Sequence, residues 1–240
     1  MASSASRTTV VIATRDRADE LAVTLQQLAR IRPQPPIIVV DNGSTDATVQ
    51  VARDAARSLP VRVVELQYNA GAVARNHGVE LADTPYVAFC DDDSWWEADA
   101  FGCAEELFDR YPRLGLIAGR TLVGPEEVPD PMNEALANSP LGRDPDAPGP
   151  AVLGFLACAA IVRREAFIET GGFSAVLQFA GEETLVAYDL AAAGWTLSYV
   201  PEIVAHHHPS QQRMPSVARR NRQARNAALT TWMRRPIGRC

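Results

Sequence analysis

Short apolar runs alternate with segments of helical spacing along the first half of the chain. A short continuous apolar run is typical of a strand buried on both faces of a sheet. Such runs occur at 9–13, 37–40, 61–66 and 86–90. Apolar residues recur at helical spacing around 21–28 and over 46–59, 71–82 and 98–111. The alternation predicts an α/β fold, with helices on both faces of a mostly parallel central sheet and ligands bound beyond the carboxyl ends of the strands.

The segment 124–150 interrupts this pattern. It is rich in proline and acidic residues and shows no periodicity. Segments of this length without secondary structure in compact domains are commonly either lids over a site or disordered insertions. We therefore expect a mobile loop near the active site, with a disordered surface insertion as the alternative.

The pattern of strands and helices resumes after residue 150. Sheet-like runs at 152–162, 196–200 and 203–206 flank predicted helices at 164–170 and 182–193. Gly171, Gly172 and Gly194 follow these helices and suit the left-handed conformation in which many helices end. The last predicted helix, 217–235, is rich in arginine and has no wide apolar face.

The composition fits one globular domain. The chain has 240 residues, of which 47% are hydrophobic and 22% are charged, so it can bury a core of ordinary size. Its 23 basic residues are all arginine. The absence of lysine excludes P-loop ATPases, Schiff-base aldolases and pyridoxal enzymes, because each of these needs a lysine amine.

Charge is distributed unevenly along the chain. The net charge is −6, yet residues 213–240 contain eight arginines and no acidic residue. An acidic body with a basic tail does not predict a nucleic-acid-binding protein. Instead, it predicts that the tail packs on the body or contacts a phosphate or an anionic membrane surface.

No segment has the pattern of a membrane span or a secretory signal. The longest apolar stretch, 151–162, falls short of the roughly 20 residues that a membrane-spanning helix needs. Residues 1–7 are small and polar. We therefore expect a cytoplasmic protein, with peripheral contact between the basic tail and the inner membrane face as a further hypothesis. Because Cys90, Cys103, Cys158 and Cys240 lack paired spacing, they are predicted to be reduced packing residues.

Three adjacent carboxylates, Asp91, Asp92 and Asp93, follow the predicted strand 86–90. Because like charges repel, a buried strand that brings three carboxylates to one point needs a cation or hydrogen-bond donors nearby. Mg²⁺ and Mn²⁺ take oxygen ligands and are commonly shared with substrate phosphates. We therefore predict a divalent-metal site here, with a solvated loop or a helix cap as the alternative.

Two further groups of residues can carry chemistry. Glu182 and Glu183 stand at the predicted start of a helix, where they either complement the helix dipole or place one carboxylate as a general base. His206, His207 and His208 follow a strand, along which neighbouring side chains alternate in direction. We therefore expect one metal ligand among these histidines rather than a cluster.

These motifs occur in the order and at the approximate spacings of a known family. From Thr9 to about Ser210 the chain reads, in order, VVIATRDRADELAVTLQQL, VVDNGSTD, NAGAVARNHGVELADTPYVAFCDDD, REAFIETGGF, AGEE and AAGWTLSYVPEIVAHH. In these segments the chain resembles the family 2 glycosyltransferases of the GT-A type. The resemblance implies that a sugar is transferred from a UDP-, dTDP- or GDP-sugar donor to an acceptor hydroxyl with inversion, and that Mn²⁺ or Mg²⁺ is the cofactor.

The resemblance also implies roles for individual residues. Glu183 matches the catalytic base and Glu182 the acid before it. Asp93 matches a metal ligand, and His207 best matches a histidine near the metal and the diphosphate, with His206 close behind. The implied nucleotide-sugar contacts are Thr14, Arg15, Asp41, Asn42, Arg75, Asp91 and Asp92, with Asn76 beside them.

On this resemblance the chain divides into a GT-A domain, 1–212, and a basic helical tail, 213–240. Within the domain, 1–123 is the nucleotide-sugar-binding half, 124–150 the mobile loop, and 151–212 the acceptor side with the base. Asn42 replaces a second acid of many uridine-binding relatives, although its carbonyl can still accept a hydrogen bond from a pyrimidine. Leu185 and Asp189 stand where the family often has an acid and an arginine.

Three other functions share some of these features. A sugar nucleotidyltransferase normally has a glycine-rich basic loop after the first strand, where this chain has Arg15, Asp16 and Arg17. An aspartyl phosphatase could use Asp91 and Asp93, but the flanking helices lack its other parts. A non-catalytic nucleotide-sugar-binding module stays open, because it would share the cleft and differ only in turnover.

Overall fold

The structure, a computed structural model, describes residues 5–210 and 216–234. Its strands are β1 (Thr8–Thr14), β2 (Ile37–Asp41), β3 (Val61–Glu65), β4 (Tyr86–Asp91), β5 (Ser94–Trp96), β6 (Leu114–Val123), β7 (Val128–Pro129), β8 (Ala160–Arg163) and β9 (Thr196–His207). Its helices are α1 (Ala18–Leu28), α2 (Thr48–Ala55), α3 (Ala74–Leu81), α4 (Ala100–Arg110), α5 (Pro131–Ala137), α6 (Arg164–Glu169), α7 (Glu183–Ala192) and α8 (Ser216–Arg234). Single turns of 3₁₀ helix cover Gly71–Val73 and Ala157–Ala159.

The strands form one sheet in the order β3-β2-β1-β4-β8-β6-β9-β5, with β7 paired to β6. The first four of these are parallel neighbours, whereas β8 is antiparallel to β4 and β6. The predicted α/β fold class is confirmed. Thr14 pairs with Asp41 and Ala13 pairs with Asp91 across the sheet. The carboxyl ends of three strands therefore meet at one edge, where ligands of such sheets bind.

The sheet is buried on both faces because its parallel strands are continuously apolar. On β1, Val10 and Ile12 belong to one core layer and Val11 to the other. Gly78 allows α3 to lie directly on this strand, since a Cβ added there would be 2.4 Å from Val11 Cγ1. A larger residue at this position would push the helix away from the close-packed core.

The strands β5 and β6 were not predicted from the sequence. β6 has 10 residues and pairs with both β8 and β9. Its first part is buried, but Arg120 is exposed and the strand ends in half-buried residues. Its apolar run contains two glycines, Gly115 and Gly119, and glycine is depleted in strands. β5 has 3 residues, which is too short for any periodicity.

The expectation that 124–150 lacks secondary structure was wrong. The segment contains β7 and α5, and Arg143 forms an isolated bridge with Pro150. The Asp130 side chain caps α5 by accepting a 2.8 Å hydrogen bond from the N–H of Met132. Asn133 then bonds to the backbone of Thr121 in β6, at 2.9 and 2.8 Å. Polar contacts rather than apolar periodicity hold α5, so the hydrophobic pattern did not reveal it. The mobility of this segment stays a prediction.

Other boundaries also differ from the predicted ones. Of the sheet-like run 152–162, only Ala160–Arg163 is a strand. The two predicted strands at 196–200 and 203–206 are one strand, β9, whose register with β6 shifts between Gly119 and Arg120. Such a bulge locally bends a strand without ending it. The predicted helix 46–59 shortens to α2, and the last residue of the predicted tail helix, 235, lies outside the described residues.

Candidate active site

A cleft of about 980 Å³ opens at the carboxyl ends of β1 and β4. Its walls come from both halves of the sequence. The predicted site residues that line it are Thr14, Arg15, Asn42, Arg75, Asp91, Asp92, Asp93, Glu182, Glu183 and His207. Asp93 and Glu183 therefore share one cleft, although a long stretch of sequence separates them.

Asp91 and Asp92 have different partners in this cleft. Asp91 forms an ion pair with Arg75 of α3. Asp92 accepts a 2.9 Å hydrogen bond from Thr14 Oγ1 at the end of β1. Burial raises the pKa of Asp92 to about 7, and the negative charges of Asp91 and Asp93 add to this shift, whereas the Thr14 hydrogen bond opposes it. Without a bound cation, this carboxylate titrates near neutral pH.

Asp93 joins the end of β4 to the end of β9. Its Oδ2 accepts a 3.1 Å hydrogen bond from the backbone N–H of Ser210, and its Oδ1 lies 3.3 Å from His207 Nε2. Arg17 approaches the same carboxylate, with Nη1 at 3.9 Å from Oδ2. The hydrogen-bond donors and positive charge that three adjacent carboxylates require are thus present around Asp93.

His206 and His208 both pack against Trp95, whereas His207 points to the opposite side. His206 Nε2 lies 3.1 Å from Glu97 Oε2, and the ring of His208 packs 4.5 Å from that of Trp95. His207 alone of the three lines the cleft and contacts an aspartate. This agrees with the alternation expected of a strand. The choice between His206 and His207 therefore favours His207, whose role as a metal ligand stays a prediction.

Several side chains offer donor atoms for a divalent cation. Single ligand atoms of Asp91, Cys158 and His207 all lie within 4.8 Å of one another, and Asp93 contacts the same imidazole. Carboxylate and imidazole ligands suit Mn²⁺, and a thiol shifts the preference away from Mg²⁺ towards softer ions. The carboxylates and the imidazole therefore fit Mn²⁺, whereas the thiol of Cys158 suits a softer ion such as Co²⁺ or Zn²⁺.

The position of Cys158 could not be read from the sequence. It was predicted to be a packing residue, and it is indeed buried and reduced. Burial raises the pKa of its thiol well above the ordinary value, so without a cation the thiol keeps its proton. Only the turn of 3₁₀ helix before β8 brings it near Asp91, and no spacing signal marks that turn.

Arg75 is a buried cation between the aspartates and the glutamates. It pairs with Asp91, and its guanidinium lies 5.6 Å from the centre of the Phe173 ring. Burial alone lowers the pKa of Arg75, but the negative charges of Asp91 and Glu182 outweigh it and raise this pKa overall. Within the described residues, Nε of Arg75 has no hydrogen-bond partner. Arg75 is therefore a fixed positive charge with a donor left for a ligand.

Glu182 and Glu183 lie at the start of α7. Gly181 precedes them with φ +95°, a conformation that favours glycine. Glu182 is 2% exposed, and its Oε2 has no hydrogen-bond partner in the described part of the chain. Burial and the charge of Glu183 raise the pKa of Glu182 to about 8, and burial also raises the pKa of Glu183. The charge of Arg75 opposes both shifts.

Asp41 and Asn42 are engaged in local structure. Asp41 is 2% exposed and accepts hydrogen bonds from the N–H groups of Gly43 and Ser44, at 3.1 and 2.9 Å. It borders a separate hollow of about 260 Å³ rather than the main cleft. Oδ1 of Asn42 accepts a 3.0 Å hydrogen bond from the N–H of Ala70. Direct contacts from these side chains to a nucleotide stay predictions.

Of Arg15 and Asn76, one reaches the cleft and the other is engaged in local structure. Arg15 lines the cleft, and its half-exposed side chain lies 3.4 Å from the carboxylate of Asp16. Asn76 instead exchanges two hydrogen bonds with the backbone of Phe173, at 2.9 and 3.0 Å. Arg15 is thus placed to reach a ligand, whereas Asn76 ties α3 to the segment that follows α6.

The helix α8 adds residues that were not among the predicted site residues. Arg219, Arg222, Gln223 and Thr230 line the cleft. The sequence showed the basic tail as a separate segment, and its arginine content was the signal available. Among the described helices, none is both long enough and apolar enough to cross a membrane.

The fold and the cleft define the class of protein. A sheet whose parallel strand ends present a carboxylate cluster to a nucleotide-sized cleft is the arrangement of a GT-A glycosyltransferase. Residues 9–171 match the family model described as Glycosyl transferase family 2. The chain belongs to this family.

Two similar glycosyltransferases support this assignment. The pre-mycofactocin glycosyltransferase of Mycobacterium tuberculosis (strain H37Rv) is 32% identical over 213 residues, which cover 85% of this chain and 43% of that protein. The uncharacterized glycosyltransferase YibD of Escherichia coli is 38% identical over 96 residues, 39% of this chain and 28% of that protein. The chain thus spans less than half the length of these relatives.

Solved structures share the fold. The mannosyltransferase PcManGT of Pyrobaculum calidifontis, in complex with GDP-Man and Mn²⁺, superimposes with a TM-score of 0.75 at 22% identity, over 98% of this chain and 66% of that one. TarS residues 1–349 of S. aureus, in complex with UDP-GlcNAc, gives 0.67 at 16% identity, over 96% and 74%. Both likenesses confirm the GT-A fold.

Proposed function

We propose that this protein transfers a sugar from a nucleotide-diphosphate donor to an acceptor hydroxyl, with inversion at the anomeric carbon and with a divalent metal ion. The observation that carries the proposal is the shared cleft: carboxylates and an imidazole at the ends of β4 and β9, with the buried Glu182 and the half-buried Glu183 at the start of α7. The ligands in the two similar structures, GDP-Man with Mn²⁺ and UDP-GlcNAc, support this donor class.

The aspartate side of the cleft, formed by Asp91, Asp92 and Asp93, would hold the donor. Asp93 and His207, together with Asp91 and Cys158, are the residues that would bind the metal ion. When bound, such an ion neutralises the charge that develops on a departing diphosphate. Arg75 and the hydroxyl of Thr14 hold Asp91 and Asp92 in place beside it.

The glutamate side of the cleft, formed by Glu182 and Glu183, would hold the acceptor. Glu183 accepts the proton of the acceptor hydroxyl while the acceptor oxygen bonds to the anomeric carbon. The bond from that carbon to the diphosphate breaks, and the nucleoside diphosphate leaves. One displacement inverts the anomeric centre. Glu183 must be ionised for this step, and the positive charge of Arg75 favours its ionised form.

A nucleotide screen tests the donor side. The melting temperature of the wild type is measured with UDP, dTDP and GDP, each with and without Mn²⁺. One nucleotide should raise it, and more so with Mn²⁺, because a ligand that binds the folded state stabilises it. The Mn²⁺ increment should disappear in D93N and persist in D83N, which alters an exposed aspartate. If no nucleotide raises the melting temperature, the proposal is wrong.

Inversion can be tested without knowing the acceptor. If water replaces the acceptor hydroxyl, the same single displacement predicts that the sugar first released from an α-linked donor is the β anomer. Proton NMR, recorded before mutarotation, distinguishes the anomers. Release of the α anomer would contradict inversion, and nucleotide binding without any release would identify a non-catalytic binding module.

A further inference from the structure

One side of α8 forms part of the cleft wall. The positions that line the cleft recur every three or four residues, as the spacing of a helix requires. They are Arg219, Arg222, Gln223, Ala227, Thr230 and Thr231. This explains why the helix has no wide apolar face: most of its length lies between solvent and a hydrophilic cleft.

The position of this wall is fixed by polar contacts. Asn226 is fully buried, and its Nδ2 donates hydrogen bonds of 2.9, 3.0 and 2.9 Å to three backbone oxygens in the segment 177–180. That segment leads directly into Glu182. Near the end of α8, Arg234 pairs through two nitrogens with the carboxylate of Asp189 in α7. α8 is therefore attached to the elements that position the glutamates.

The wall offers hydrogen-bond donors that have no partner among the described residues. Neither Arg219 nor Arg222 forms an ion pair or a side-chain hydrogen bond with any described residue. Arg222 is half-buried. The hydroxyl of Thr230 is 2% exposed and likewise has no partner within the described ranges. A buried polar group of this kind is normally satisfied by a ligand or by water.

The charge around the cleft indicates the kind of ligand. The aspartate side is acidic and suits a cation, whereas Arg219 and Arg222 suit an anion. A phosphate group coordinated to a divalent ion presents both charges at once. Guanidinium groups bind phosphate oxygens through paired, charge-assisted hydrogen bonds.

We propose that Arg219 and Arg222 form a subsite for phosphate oxygens in the active-site cleft. The proposal rests on the proposed function, because the phosphate belongs either to the donor diphosphate or to a phosphate group on the acceptor. These arginines lie in the first half of α8, the half nearer in sequence to Ser210. The backbone N–H of Ser210 donates a hydrogen bond to Asp93. The donor diphosphate is therefore the source expected first.

The same helix provides a control. Arg220 is exposed and is not part of the cleft lining, and Arg62 on β3 is also exposed. The double variant R62Q/R220Q removes as much positive charge as R219Q/R222Q but spares the cleft. An effect of net charge alone would appear in both variants, whereas an effect of the subsite appears in one.

Calorimetric titration with the nucleoside diphosphate found in the screen, in the presence of Mn²⁺, tests the donor source. The dissociation constant should rise at least about tenfold in R219Q/R222Q, as expected for the loss of one or more charge-assisted hydrogen bonds. It should stay within about twofold of the wild type in R62Q/R220Q. Equal melting temperatures of the unliganded variants show that the fold is kept.

A second titration tests the acceptor source. Inorganic phosphate is added to protein already saturated with the nucleoside diphosphate and Mn²⁺. Binding to the wild type that is lost in R219Q/R222Q places the phosphate on the acceptor. If neither titration separates the two double variants, the subsite does not exist. If the wild type binds no nucleoside diphosphate at all, the proposed function fails instead, and phosphate alone still tests the arginines.

Discussion

The two sides of the cleft treat their carboxylates differently. On the aspartate side, Asp92 and Asp93 accept hydrogen bonds from Thr14 and Ser210, and Asp91 has an ion pair. On the glutamate side, Glu182 is buried with an oxygen that has no partner among the described residues. The first arrangement fixes oxygen atoms in space, as a metal site requires. Burial raises the pKa of a carboxyl group on both sides, Asp92 and Glu182, but the second arrangement also leaves a carboxylate oxygen without a hydrogen-bond donor among the described residues.

This difference assigns a task to each side. A hydrogen bond or an ion pair fixes a carboxylate in position, whereas a buried carboxylate oxygen without a partner costs stability. Perturbed pKa values of this kind are concentrated at functional sites. Arg75 lies between the two sides and interacts with both, so it is the residue through which the comparison is most easily broken.

Replacing Arg75 should have the largest effect. R75Q leaves several carboxylates close together without the buried cation that offsets them, so the free energy of unfolding should fall by about 3 kcal/mol. Urea unfolding measures this, with R62Q at an exposed position as the control. Equal stability of R75Q and the wild type would show that the two sides are not linked through this residue.

Removing His207 should affect the aspartate side alone. In H207A, Mn²⁺ should enhance nucleotide binding at least about tenfold less than in the wild type, since one ligand is lost. The melting temperature of unliganded H207A should be nearly that of the unliganded wild type. H77A, which alters a histidine on α3 away from the cleft, should behave as the wild type. Unimpaired Mn²⁺ enhancement in H207A would exclude His207 as a ligand.

The candidate metal ligands are either Asp91, Cys158 and His207 or Asp93 and His207. Cys158 belongs only to the first set. If it joins Asp91 and His207, protein loaded with Co²⁺ should show a sulfur-to-cobalt charge-transfer band in the near ultraviolet, because a coordinating thiol is deprotonated. The band should vanish in C158S and persist in C103S. A wild-type spectrum without this band would leave Asp93 and His207 as the metal ligands.

The glutamate side should give an effect that depends on pH. The pKa of Glu182 is about 8 in the folded protein, against an ordinary 4.5. Between these values the folded state keeps a proton that the unfolded chain has released, so the free energy of unfolding should fall as pH rises through this range and level off above it. The slope attributable to Glu182 is at most about 1.4 kcal/mol per pH unit. E182Q should make the profile shallower, and an unchanged profile would contradict this assignment.

Membrane contact of the basic tail should give the smallest effect. Weak, salt-sensitive binding to anionic vesicles is expected from the exposed arginines. Sedimentation with vesicles rich in anionic lipid measures it. Binding that is nil at low salt, or unchanged after deletion of 213–240, would refute this hypothesis.

The sequence predicted the aspartate side better than the rest of the cleft. The apolar runs of β1 and β4 end at Thr14 and Asp91, so sequence and sheet topology together place these residues at one edge. Strand alternation predicted a single ligand among the three histidines, and the family resemblance pointed to His207. These are local features, and local patterns of apolar residues determine them.

The remaining parts of the site depend on contacts between distant segments. Cys158 reaches Asp91 only through a turn before β8, and α8 is positioned by hydrogen bonds from Asn226 to the segment 177–180. α5 is likewise held by Asn133 and a cap. Such polar tertiary contacts leave no periodic pattern in the sequence, so neither the cleft wall nor the structure of 124–150 could be predicted.

The measurement that tests the account most directly compares E183Q with E202Q, a variant of an exposed glutamate outside the cleft. The release of nucleoside diphosphate from the donor sugar should be slower by about 10³-fold in E183Q, the loss expected for a general base. Its dissociation constant for the nucleoside diphosphate should stay within about twofold of the wild type. Full turnover in E183Q, or loss of nucleotide binding together with turnover, would contradict the separation of the cleft into a donor side and a proton-accepting side.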